Sequence, residues 1–160
     1  MDFLIMRSGI GSIKKIKESS GFLRYVINDI KVDIVHDPLS IKGIRPSISI
    51  DGIKVSIDIV ENIFSNKFTT LVSRAESKDF IDFYFLKNFI QEFSVKDLYN
   101  LAATKDVIFD DPANVAFALE ENLKFIQKSS TYPKMIKTFD LEDMFSFYFS
   151  LVKEIYSFQE

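Results

Sequence analysis

The chain has 160 residues, with 20 Lys and Arg against 23 Asp and Glu, for a formal net charge of −3. It has no Cys and a single His, His36, which excludes a disulfide framework, a thiolate nucleophile and a Cys- or His-built zinc centre within one chain, so that a divalent metal would have only oxygen ligands. The acidic balance speaks against a general nucleic-acid coat and leaves room only for a local basic patch. No apolar run approaches the roughly eighteen residues that cross a membrane, and Phe3-Leu4-Ile5-Met6 is too short for a signal-peptide core, so a cytoplasmic protein without a membrane partner is expected.

Seventeen Phe and no Trp predict an aromatic core or an apolar face that needs a partner. The first third carries strand signals. Ser12 to Lys17 alternates imperfectly, Phe22 to Ile27 and Lys31 to Val35 are β-branched and aromatic, and Asn28-Asp29 between them is turn chemistry. Ser47 to Ile50 and Ile53 to Ile57 flank Asp51-Gly52, a strong hairpin signal. Pro38 and Pro46 bracket a connecting loop.

Beyond residue 58 the apolar period becomes helical. Asp58 with Glu61 predicts a capping box and a helix to about Arg74. Ser77 is the expected cap of a second helix, Lys78 to about Gln91, whose Phe80-Ile81-Phe83-Tyr84-Phe85-Leu86 run is apolar nearly all round and predicts a buried helix. Ser94 with Asp97 opens a third helix, Asp111-Pro112 a fourth running to about Gln127, and Asp140 with Asp143 a fifth running to about Phe158. The expected fold is α+β: a small, mostly antiparallel sheet followed by a C-terminal bundle of about five helices.

Candidate chemistry begins with what is missing. There is no Walker-type phosphate loop, and Gly9-Ile-Gly11 lacks the third glycine of a dinucleotide fingerprint. Carboxylates and cations remain. Asp33 stands in the middle of a β-branched strand, where an acid needs a partner or a task. On the residues alone it is either a metal ligand or the partner of Lys31, which shares its face at period two. Lys67, Arg74, Lys78, Asp79 and Asp82 crowd into sixteen residues, with Lys67, Leu71, Arg74 and Lys78 on one stripe if the helix is continuous. They are either a structural charge network between two helices, with Asp82 buried in it, or a cationic grip on a triphosphate oriented by the aspartates.

The string Asn66-Lys67 … Ser73-Arg74 … Lys78-Asp79-Phe80 … Asp82 … Tyr84-Phe85-Leu86 resembles the AbiEii/AbiGii-type nucleotidyltransferase toxins, of the polymerase-β-like superfamily. Lys31-Val32-Asp33-Ile34-Val35 resembles the strand of that family that supplies its third carboxylate. The match is close from about Tyr25 to Phe89 and compositional beyond it. The resemblance implies a toxin–antitoxin or abortive-infection role and transfer of a nucleoside monophosphate from NTP to an acceptor such as tRNA, with Mg2+ as cofactor. It assigns Asp33 to the metal, Lys67, Asp79 and Asp82 to catalysis, and Lys67, Arg74 and Lys78 to the nucleotide. Residues 1–57 would be a β-rich remnant of the catalytic core and residues 58–160 a helical region packed on it.

The family's first motif, Gly-Ser followed by Asp-x-Asp, has no counterpart. Gly11-Ser12 is followed by strand-like sequence, no two Asp are so spaced, and Asp140-Leu141-Glu142 belongs to a helix start. The expectation is therefore a chain inactive in isolation, completed by another polypeptide or a second copy and partnered by an antitoxin. The alternative is a non-catalytic interaction module of the same descent.

Overall fold

A computed structural model describes residues 11–129, 132–136 and 138–159. The Phe3–Met6 segment, Asp2 and the first glycine of Gly9-Ile-Gly11 lie outside the described residues. The chain divides into two compact units, Met1–Ser40 and Ile41–Glu160.

In the first unit, strands β1 (Ile13–Ser19), β2 (Phe22–Ile27) and β3 (Ile30–Val35) form an antiparallel meander in the order β1-β2-β3. Asn28 and Asp29 both take positive φ, 47° and 66°, which gives the two-residue turn whose twist matches the flanking strands. The Asn28 side chain accepts from the Ser12 amide at 3.0 Å and its own amide donates to the Ser12 carbonyl at 3.0 Å, pinning the start of β1. The β1–β2 register jumps between Lys15 and Lys17, a bulge at Ile16.

The second unit opens with the hairpin β4 (Ser47–Ile50) and β5 (Ile53–Ser56), turned by Asp51 and Gly52 at φ 49° and 80°. Ile48, Ile50, Ile53 and Val55 share one face of it and are exposed. Helices α1 (Val60–Ser73), α2 (Ser77–Phe89), α3 (Val95–Ala103), α4 (Pro112–Lys128) and α5 (Leu141–Tyr156) follow, with 3-10 turns at Val107–Asp110 and Ser157–Gln159. The α+β architecture read from the pattern is the one observed.

Helix α1 packs against α2, α3 and α4, and α5 packs mainly on α4. Phe64, Phe68 and Leu71 on α1, Leu119 and Leu123 on α4, and Met144, Tyr148 and Ile155 on α5 are fully buried, the spacing of three and four that keeps one helical face inward. Phenylalanine makes much of this core. Phe68 meets Phe83 at 5.1 Å and Phe109 at 5.3 Å, and Phe64 meets Phe83 at 5.9 Å, tilted and edge-on geometries that favour aromatic pairs. Tyr148 donates to the Phe80 carbonyl at 2.6 Å, and Tyr99 to the Phe109 carbonyl.

Helix starts agree with the sequence at three places and differ at two. Ser94 and Asp97 form a reciprocal capping box, Asp111 accepts from the Ala113 amide ahead of Pro112, and Asp140 accepts from the Glu142 amide. Asp58 does not cap α1. The N-cap is Ile59, and the Asp58 carboxylate instead accepts from the Ile59 amide and the Asn62 side chain and pairs with Arg45 at 3.2 Å. Ser77 is the first residue of α2 rather than its cap, which is Glu76, whose side chain accepts from no amide of the first turn. Nor is α2 buried all round. Phe80, Ile81 and Phe83 are buried, Tyr84, Phe85 and Leu86 are half-buried, and Phe89 is 79% exposed.

Candidate charge cluster at the start of helix α2

Lys67 lies on α1, and Arg74 is the extended residue that caps its C-terminal end. The helix stops at Ser73, Arg74 and Glu76 are extended, and α2 begins at Ser77. That tight reversal brings the first turn of α2 beside the last two turns of α1. Asp79, 1% exposed, holds Lys67 Nζ at 3.3 Å through Oδ1 and the Arg74 Nε and Nη2 at 2.8 Å through Oδ2. Lys67 reaches on to Asp82 Oδ2 at 2.6 Å, Arg74 to Glu76 at 3.4 Å, and Glu76 to Lys78 at 2.9 Å. The result is a ladder of alternating charge, Asp82–Lys67–Asp79–Arg74–Glu76–Lys78.

The structure therefore brings together Lys67, Arg74, Asp79 and Asp82, with Lys78 joined through Glu76. It reverses one expectation. Asp82 is paired, but its side chain is 52% exposed, and the buried carboxylate is Asp79, three residues earlier and facing α1. Burial lowers the Lys67 ammonium, and the hydrogen bonds and charges of Asp82 and Asp79 more than offset it, so its pKa ends above the ordinary lysine value.

Two hollows flank the ladder. One, of about 450 Å³, is lined by Lys67, Asp82, Phe85, Leu86, Phe89 and Ile90. The other, about 340 Å³, lies at the opposite end against Glu76, Lys78, Ile126, Tyr132 and neighbouring residues.

Asp33 lies on β3 in the first unit, directly opposite Arg24 on β2. Arg24 donates Nε to Oδ1 at 2.6 Å and Nη2 to Oδ2 at 2.7 Å, a fork that fits a planar guanidinium to a carboxylate. The hydrogen bond from Arg24, with its charge and that of Lys31, holds the Asp33 carboxyl below the usual range. Of the two readings of Asp33, metal ligand or partner of Lys31, neither names the partner observed; the structure supplies Arg24, because cross-strand neighbours approach more closely than residues two apart on one strand.

This arrangement does not fit a resident magnesium ion. Both oxygens of Asp33 are taken by Arg24 and both of Asp79 by Lys67 and Arg74, so a divalent cation would have to displace a cation already in place. No group of three or more potential ligands stands together among the described residues.

A second polar cluster was not singled out from the sequence. Asn62, 1% exposed, accepts from the Ile41 amide and from Lys105 Nζ, and Lys105 also donates to Asn66. Asn62 and Asn66 at spacing four were a usable hint. Lys105, beyond the end of α3, could be placed there only by the fold. No family model, curated protein or solved structure matches the chain.

Proposed function

We propose that the chain carries the later motifs of an AbiEii/AbiGii-type nucleotidyltransferase and transfers no nucleotide by itself. The observation that supports this reading is the meeting of Lys67, Arg74, Asp79 and Asp82 in one cluster beside an open hollow. Phosphoryl transfer is mostly positioning and charge neutralisation, and such a cluster has the right chemistry for the phosphate side of that task. The metal side is absent from these 160 residues, which hold no Asp-x-Asp.

The test is incubation of radiolabelled NTP and magnesium with the chain and total tRNA. No label is expected on RNA from this chain alone, and label is expected once a polypeptide bearing Gly-Ser and Asp-x-Asp is added. Label from the chain alone, lost in Asp33→Ala, would overturn the inactive reading.

One observation favours the alternative, a non-catalytic module: every cation of the ladder already has a carboxylate partner. A triphosphate would have to compete with Asp79 and Asp82 for Lys67 and Arg74. Calorimetric titration with NTP separates the two. Binding weakened by Lys67→Gln and Arg74→Gln supports the first reading, and no binding supports the second.

A further inference from the structure

The register of the three-stranded sheet sorts its side chains into two unlike faces. Residues directly opposite one another share a face. Lys14, Val26 and Lys31 make one row, Lys17, Arg24 and Asp33 the next, and Ser19, Phe22 and Val35 the third. The reverse face carries Ile27, Ile30, Tyr25, Val32, Leu23 and Ile34, and the pair Lys15–Glu18 at 2.6 Å. On the first face, four cations meet one carboxylate, and Arg24 already holds it in a fork. Lys14, Lys17 and Lys31 are exposed, and among the described residues no carboxylate comes within ion-pair distance of them. Phe22 is half-buried, with Lys17 Nζ 5.7 Å and the Arg24 guanidinium 5.4 Å from its ring centroid.

We propose that this face binds a single-stranded RNA, its phosphates on Lys14, Lys17 and Lys31 and a base on the ring of Phe22. Charge complementarity identifies the occupant: a concentrated cationic face on a chain of net charge −3 selects a polyanion. Inorganic anions would use the lysines and leave Phe22 idle, and an acidic peptide has no flat ring to stack on it. Lys17 and Arg24 lie over the Phe22 ring, so a base stacks there by displacing one of them, which is then free to meet a phosphate; stacking accepts any base. Ser19, in the same row as Phe22, offers a hydroxyl partner to a ribose 2′-OH. The face belongs to the first unit alone, and the inference stands independently of nucleotide transfer.

The test is fluorescence anisotropy of the full chain with a labelled oligouridylate of about 12 nucleotides, a length comparable to the site sizes of single-strand-binding proteins, and without NTP. Three phosphate contacts predict a log–log salt slope of about −2, and so about a 20-fold weakening between 50 and 200 mM salt. Lys14→Gln/Lys17→Gln/Lys31→Gln should lose at least tenfold and flatten that slope, whereas Lys54→Gln/Lys128→Gln, cations elsewhere, should change binding less than about twofold. Phe22→Leu should weaken it about fivefold or more. The wild-type slope carries the test should the triple variant fail to fold. Absence of binding, equal loss in the two lysine variants, tighter binding of the matching DNA strand, or binding only to phosphatidylserine vesicles would overturn the proposal.

Discussion

At the scale of single residues the decisive contrast is between two aspartates one helical turn apart. Asp79 is buried under Lys67 and Arg74, and Asp82 meets Lys67 at the surface. Removing Asp79 deletes the buried carboxylate that Lys67 and Arg74 share, although Lys67 keeps Asp82 and Arg74 keeps Glu76, and Asp79→Ala should cost about 1.5–3 kcal/mol. Asp82→Ala removes one half-exposed partner and should cost no more than about 1 kcal/mol. Urea unfolding of the two variants checks the order, and a reversed order would mean that Asp79 is not the anchor. Lys67 adds a pH signature. Its folded pKa lies above the ordinary 10.5, so its stabilising contribution is complete below that value and fades as pH rises through the folded pKa. Tyr148, buried and raised well above 10.0, acts in the same sense. Lys67→Met should therefore reduce, without abolishing, the loss of stability measured between about pH 9.5 and about pH 11.5.

At the scale of elements, capping and cross-helix hydrogen bonds set the strength of the bundle. Ser94→Ala removes a formed capping box and should lower stability by about 1 kcal/mol. Tyr148→Phe keeps the ring against Phe80 at 4.9 Å but deletes the hydroxyl donor to the Phe80 carbonyl; that carbonyl keeps its place in the α2 ladder, so the loss should cost about 0.5–1.5 kcal/mol. Thermal unfolding followed by far-ultraviolet circular dichroism reads both. The Ile16 bulge matters for a different reason. Strict alternation along β1 would put Lys15 and Lys17 on one face, whereas one extra residue lets Lys14 and Lys17 share it.

At the scale of the whole molecule, the boundary between the units falls at Ser40 and Ile41, within a stretch from His36 to Pro46 that lacks strand or helix. Lys42 is exposed in that stretch, and backbone outside a hydrogen-bonded element is the preferred point of proteolytic entry. Trypsin under limiting conditions should cut first there and release a fragment carrying α1 to α5 that still melts cooperatively. A first cut inside the helices, or an unfolded fragment, would contradict the division.

The sequence by itself determined the elements and their kind. Positive-φ turns were legible because Asn28-Asp29 and Asp51-Gly52 name them, and Ser94, Asp111 and Asp140 mark helix starts because a short polar side chain there answers orphan amides. The crowding of Lys67, Arg74, Asp79 and Asp82 was legible too, since all four lie within sixteen residues. Tertiary structure alone decided which carboxylate is buried, because that depends on where the chain reverses after Ser73 and which side of α2 meets α1. It alone decided that Asp58 serves Arg45 and Asn62 instead of a helix end, and that Lys105 reaches Asn62 and Asn66. The partner of Asp33 was within reach of the sequence, because the two-residue Asn28-Asp29 turn pairs Ile27 with Ile30 and so Arg24 with Asp33. The β1–β2 register was not, because a bulge resets pairing without leaving a mark in local composition.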